Sequence, residues 1–249
     1  MIGRPQVTES REDVSRFMVH LTRNDSGEWT GGGGDTARRN FLAIYNDRTI
    51  LAPKAHCLHA NKVASSLRKK FHVACFSEMP LTALRHVTQP IPGRQIQLEP
   101  YGFVFKREFI IGNGGQEVTY VNSYEGNNDV RDGYDSIFEI AAQKNFMGRM
   151  WRTLPFLSAM HDRCDFSWER EWRVLGEVKF NYSDLVCVIL PENEMGIFKF
   201  KLAQNGIAWI SPEWSFEKMV ESLTDQQRKT RRLKPPTDTP KIPRRLSKA

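Results

Sequence analysis

The sequence predicts an α+β protein: one folded domain over residues 1–224 and a basic, disordered tail over residues 225–249. Three observations carry that expectation. Short apolar runs of strand character mix with helical patterns, without the regular βαβ spacing of a parallel sheet. The 249 residues are 40% hydrophobic and 26% charged, which suits a single core. The net charge of +7 resides in the tail, because residues 225–249 hold nine Lys/Arg against two Asp. Positions 1–224 then balance acid against base, which argues against a domain that is itself a cationic nucleic-acid module.

The elements follow in order. Phe17–Thr22 is the first expected strand. Gly31–Gly34 marks a mobile loop between Asn24 and Asp35, and lacks the Lys-Ser/Thr of a phosphate loop. Thr36–Tyr45 has helical spacing at Ala37, Phe41, Leu42, Ile44 and Tyr45 behind a Thr cap. Val73–Phe76 is a short buried strand, after which Pro80 opens a helix through Leu84. Gly102–Phe105 and Val118–Val121 read as strands around a turn at Gly112–Gly115. Ser136–Met160 is the longest helical stretch, interrupted near Pro155. Trp168–Val178 and Leu185–Leu190 are the clearest strands, Ile207–Ile210 adds a short one, and Pro212–Leu223 is the last helix. Pairing is expected to be mainly antiparallel.

Several classes are excluded or disfavoured. No run approaches the roughly 18 uncharged apolar residues of a membrane helix. Met1–Ser15 is polar and lacks the apolar block of a secretory signal, so a cytoplasmic location is expected. Cys57, Cys75, Cys164 and Cys187 are too few and too scattered for a disulfide scaffold.

The strongest chemical signal is Trp168-Glu169-Arg170-Glu171-Trp172-Arg173-Val174. In a continuous strand, Glu169, Glu171 and Arg173 share one face. Adjacent carboxylates suit stabilisation of a cationic transition state and activation of a nucleophile. The same pattern also fits a solvent-facing ladder of salt bridges. His20 and Thr22 would share a face at the end of the first strand, as ligand contacts or as a hydrogen-bonded strand end. Ser77, just past a buried strand, can touch a ligand or cap the following helix. His56-Cys57-Leu58-His59 invites a metal reading, but no second pair follows at structural-zinc spacing, so no metal is expected.

Taken in order, His20-Leu21-Thr22, Phe41–Ile44, Ala74–Leu81, Tyr101–Lys106, Gly114–Tyr120 and Trp168–Arg173 resemble the AbiGi-type abortive-phage-resistance family. They are also similar to mRNA-modifying ADP-ribosyltransferase toxins of toxin–antitoxin phage-defence systems. The resemblance implies an ADP-ribosyltransferase-like fold, a split antiparallel β-core flanked by helices, with NAD as substrate. It makes Glu171 the catalytic carboxylate, set against the positive charge that develops as nicotinamide leaves. Glu169 would orient or deprotonate the acceptor. His20 and Thr22 map to the NAD contact of the first strand, with Arg23 as the alternative. Ser77 would support the ribose and Tyr101 would stack on nicotinamide. The implied partners are a nucleic-acid acceptor, RNA before DNA, and a cognate antitoxin. The cationic tail would supply the phosphate attraction that the neutral domain lacks.

Two rival readings remain open at this point. Glu177-Val178-Lys179, with Asp162 or Asp165 upstream, fits half of a metal-dependent nuclease site. A non-catalytic antitoxin or binding protein on the same fold is the other, since a fold does not fix a function.

Overall fold

A computed structural model describes residues 14–24, 36–90, 97–126, 128–161 and 167–233, with residues 226–233 described by backbone alone. Strand β1 (Phe17–Leu21) leads to helix α1 (Ala37–Asp47). The Thr36 side chain accepts a hydrogen bond from the Arg39 N–H, satisfying an otherwise unpaired donor of the first turn. Strand β2 (Thr49–Ile50) follows, then two 3-10 turns, Ala60–Lys62 and Ser65–Phe71, and strand β3 (Val73–Glu78). Pro80 leads into a 3-10 turn at Leu81–Ala83 that runs into helix α2 (Leu84–Val87). Strand β4 (Gly102–Lys106) passes directly into helix α3 (Arg107–Gly112). Strands β5 (Gln116–Glu117) and β6 (Thr119–Asn122) precede helix α4 (Asp129–Gln143). A 3-10 turn at Met150–Phe156 runs into strand β7 (Leu157–Met160). Beyond a 3-10 turn at Ser167–Glu169 come strands β8 (Glu171–Leu175), β9 (Val178–Lys179) and β10 (Leu185–Ile189). Helix α5 (Met195–Gln204), strand β11 (Trp209–Ile210) and helix α6 (Phe216–Leu233) complete the described chain.

The architecture is α+β with a mostly antiparallel sheet. Seven strands are ordered β11-β10-β4-β1-β3-β8-β5, with two-stranded sheets β2-β9 and β6-β7 beside them. Only β10-β11 and β6-β7 are parallel pairs among the described strands. One face of the large sheet carries Met18, Phe76, Phe103, Phe105, Trp172 and Val174, packed on Phe41 and Tyr45 of α1 and Phe198 of α5. Phe41 and Phe103 stack at 4.8 Å. Burying each such ring contributes about 1.5–3 kcal/mol. The opposite face carries Val19, Val104, Cys187 and Ile189 against Leu84 and Val87 of α2 and Met219 of α6. A separate cluster of Phe71, Phe138, Trp151, Leu154 and Leu157 joins α4 to β7.

Several elements differ from expectation. Val118–Val121 does not pair with Gly102–Phe105; α3 intervenes, and β6 pairs with β7. The long helical stretch is α4 alone, starting earlier and ending at Gln143, while Leu157–Met160 is a strand. Trp168–Val178 is not one strand: β8 starts at Glu171 and ends before Gly176, which has φ +84°. Ser77 lies inside β3 and caps nothing. Helix α6 runs to Leu233, so residues 225–233 are helical where a disordered tail was expected. Gln, Lys and Arg are good helix formers, and a composition-based reading of disorder overlooked that. Residues 234–249, the Gly31–Gly34 loop, Cys164, Asp162 and Asp165 lie outside the described residues.

Candidate active site around Glu171

Antiparallel pairing builds the site. β3 and β8 align Ser77 with Glu171 and Cys75 with Arg173. Directly opposed residues share a face, so all four side chains lie on one side of the sheet. Glu171 is 8% exposed and Arg173 is fully buried. Arg173 Nε donates to Glu171 Oε1 at 2.9 Å and Nη2 donates to Oε2 at 2.8 Å. Its Nη1 donates to the carbonyls of Pro155 and Leu157, at 2.8 and 3.3 Å. One guanidinium therefore holds the carboxylate and bolts β8 to the turn that leads into β7.

Burial works to raise the Glu171 pKa, but the Arg173 charge and hydrogen bonds, with His56, outweigh it and hold the carboxyl below its usual range. Glu171 is ionised at neutral pH. Burial, and then the Glu171 charge, pushes the neighbouring Cys75 thiol well up. His56 stands at the solvent side of this site.

Tyr120 of β6 is the further member that sequence reasoning missed. Burial and the charges of Glu171 and Glu169 raise its phenol strongly, and its buried hydroxyl lacks an aligned hydrogen bond. The Gly114–Tyr120 motif contained the residue, but only the β6–β7 pairing brings it to this site.

The first-strand candidates divide. Val19 pairs with Ser77, so His20 points to the face opposite Glu171. Its ring lies 5.8 Å from Phe76, and Nδ1 donates to the Cys75 carbonyl at 2.9 Å. As an NAD contact, His20 would have to act from the sheet face opposite Glu171. The Arg23 charge acts in the lowering direction on His20, His56 and Cys75 alike, so it does not separate the two first-strand candidates. Thr22 is buried, and its hydroxyl is directed at the carbonyls of Ala37 and Tyr101, at 2.8 and 3.1 Å. It ties the end of β1 to the start of α1 instead of facing a ligand. Burial and the neighbouring Glu194 carboxylate push the Tyr101 phenol up to about 12. Glu194 in turn grips Arg38 Nε at 2.7 Å.

Glu169 does not share the strand face of Glu171. It ends a 3-10 turn, and Arg170 follows at φ +47°. Glu169 lines a recess of about 450 Å³ with Glu78, Met79, Pro80, Ala83, His86, Val87, Trp168 and Arg170. The charges of Glu171 and, less strongly, Glu169 both act to raise the Tyr120 phenol.

The remaining chemical motifs diverge. His59 is buried, its Nε2 bonded to Asp135 at 2.7 Å, whereas His56 is exposed near Glu171. Among the described residues, no group of three His, Cys, Asp or Glu could hold a metal. Lys179 and Glu177 pair with each other at 3.2 Å at the two-residue strand β9. No helix among the described residues is long and apolar enough to cross a membrane. Comparison of the chain with protein-family models, with curated proteins and with solved structures finds no match.

Proposed function

We propose that the chain is an NAD-dependent ADP-ribosyltransferase that modifies nucleic acid, RNA before DNA, and acts as a cytoplasmic toxin of a phage-defence system under a cognate antitoxin. The observation that carries this reading is the alignment of Ser77 with Glu171 on adjacent strands, with the Arg23 charge nearby.

The residues fit the substrate on chemical grounds. A carboxylate offers about four lone-pair sites. Arg173 takes two, which leaves lone pairs that a ribose hydroxyl could use. NAD supplies an activated glycosidic bond, whose electron pair leaves with nicotinamide. Glu171, charged and rigidly held, opposes the positive charge left on the sugar. Ser77, aligned with Glu171, would support the same ribose. Arg23 suits a pyrophosphate. Glu169 receives the proton of the attacking acceptor group. The basic C-terminal region, with nine Lys/Arg in residues 225–249, supplies attraction for phosphate.

The test is incubation of the purified protein with NAD and separate RNA, DNA and protein pools. Nicotinamide release and an ADP-ribose mass shift on RNA are expected. No release with any acceptor overturns the proposal. A second reading, a non-catalytic binding protein, is favoured by the occupation of both Glu171 oxygens by Arg173. It predicts NAD-independent partner binding without nicotinamide release.

A further inference from the structure

Arg170 is the single residue between the two carboxylates, and its φ of +47° is disfavoured for a residue with a Cβ. Its neighbours show what holds it there. Glu78, at the end of β3, is buried. Its Oε1 lies 3.0 Å from Arg170 Nη2. Its Oε2 accepts from Trp172 Nε1 at 3.2 Å. Arg107 stands 3.9 Å from the same oxygen and 4.9 Å over the Trp172 ring. The Glu78 N–H also donates to the Arg170 carbonyl at 3.1 Å. One residue thus fixes Arg170 through both backbone and side chain.

The conformation of Arg170 decides where Glu169 goes. With Arg170 extended, β8 would continue upstream, and its period of two would place Glu169 on the Glu171 face. With Arg170 left-handed, Glu169 sits in the 3-10 turn beside the recess. We infer that Glu78 is a positioning residue: it pins Arg170 in the left-handed conformation and so keeps Glu169 off the Glu171 face. The backbone part stands alone, while its consequence for catalysis rests on the proposed roles of Glu169 and Glu171.

Glu78→Gln tests it, because the amide keeps the size and an acceptor for Trp172 but removes the charge facing Arg170. A crystal structure of this variant is expected to have Arg170 at negative φ and β8 extended to Glu169. In kinetics, transfer to nucleic acid is expected to fall on the order of tenfold to a hundredfold, as for a misplaced reacting group. Nicotinamide release to water and the KM for NAD are expected to stay within about twofold. Glycine takes positive φ freely, so Glu78→Gln combined with Arg170→Gly is expected to restore the bend and the transfer. Retention of positive φ in Glu78→Gln, equal loss of transfer and hydrolysis, or no rescue by glycine overturns the inference. If the wild-type protein releases no nicotinamide, the transferase reading fails, and the crystal structures still decide whether Glu78 sets the bend.

Discussion

Arg173 reaches back two residues along its own strand and binds both oxygens of Glu171. Side chains two apart on a strand point the same way, which makes the fork geometry possible. The pair is buried, so its two members depend on each other: each charge is tolerable only while the other is present.

Arg173→Met is therefore expected to destabilise the fold by about 3–5 kcal/mol, because it strands a buried carboxylate. Adding Glu171→Leu is expected to recover much of that loss. Urea unfolding of the single and double variants measures both effects. A double variant no more stable than the single one would show that the stranded charge is not the cause.

Glu171→Gln is expected to abolish nicotinamide release, and also to lower stability because it leaves the buried Arg173 charge uncompensated, so activity is read only on protein shown by circular dichroism to be folded. The amide oxygen still accepts one bond from Arg173, but the charge that faces the developing cation is gone. The loss is expected to be on the order of a hundredfold or more. A folded, active Glu171→Gln protein would rule out the mechanism.

Glu169→Gln should separate two activities. If Glu169 takes the acceptor proton, transfer falls more than slow hydrolysis of NAD by water. Equal losses in the two assays would assign Glu169 to NAD binding or to the fold.

Acid should weaken the α4 packing through His59. Burial lowers the pKa of this imidazole from the ordinary 6.5, with Lys62 and Arg131 acting in the same direction and Asp135 against it. The unfolded chain therefore takes up the proton first. Stability contributed by neutral His59 is full above 6.5 and is lost as pH falls through the lower, folded value. Urea midpoints at about pH 7.5 and about pH 5.5 check this against His59→Gln, which cannot titrate. The wild type is expected to lose more on acidification, and parallel profiles would remove His59 as the source.

Truncations divide the basic C-terminus. Deleting residues 225–249 is expected to weaken nucleic-acid binding and flatten its salt dependence, by a slope of about 0.7 for each single-strand phosphate no longer neutralised. Deleting only 234–249 should do part of this, since Arg228, Lys229, Arg231 and Arg232 stay on α6. NAD hydrolysis should survive both deletions. Unchanged affinity and salt slope after the longer deletion would place the phosphate-binding groups on the folded domain.

The legible and illegible parts of the fold differ in the distance over which they are determined. β1, β3, β4 and β10 were readable because their apolar residues, once buried, make a strand almost unavoidable. The Thr36 cap was readable because its partner is three residues away. The Glu169–Glu171 arrangement was not. Local alternation put both on one face, and a buried carboxylate from another strand, Glu78, bends the chain between them. β7 was hidden for a similar reason: Leu157–Met160 has no strand pattern of its own and pairs with a distant β6. Ser77 and Glu171 were each nameable from sequence, but their alignment follows from a register that tertiary packing sets.

Both outer strands of the large sheet, β11 and β5, are only two residues long. β11 lies under α6, where Ser222 Oγ donates to the Trp209 carbonyl at 2.8 Å. β5 is open to solvent, but it consists of Gln116 and Glu117 and offers a charged, short ladder. Sheets with long, flat, apolar borders recruit strands from other molecules and aggregate. This sheet gives a second copy little to add to, so its borders are not expected to drive self-association.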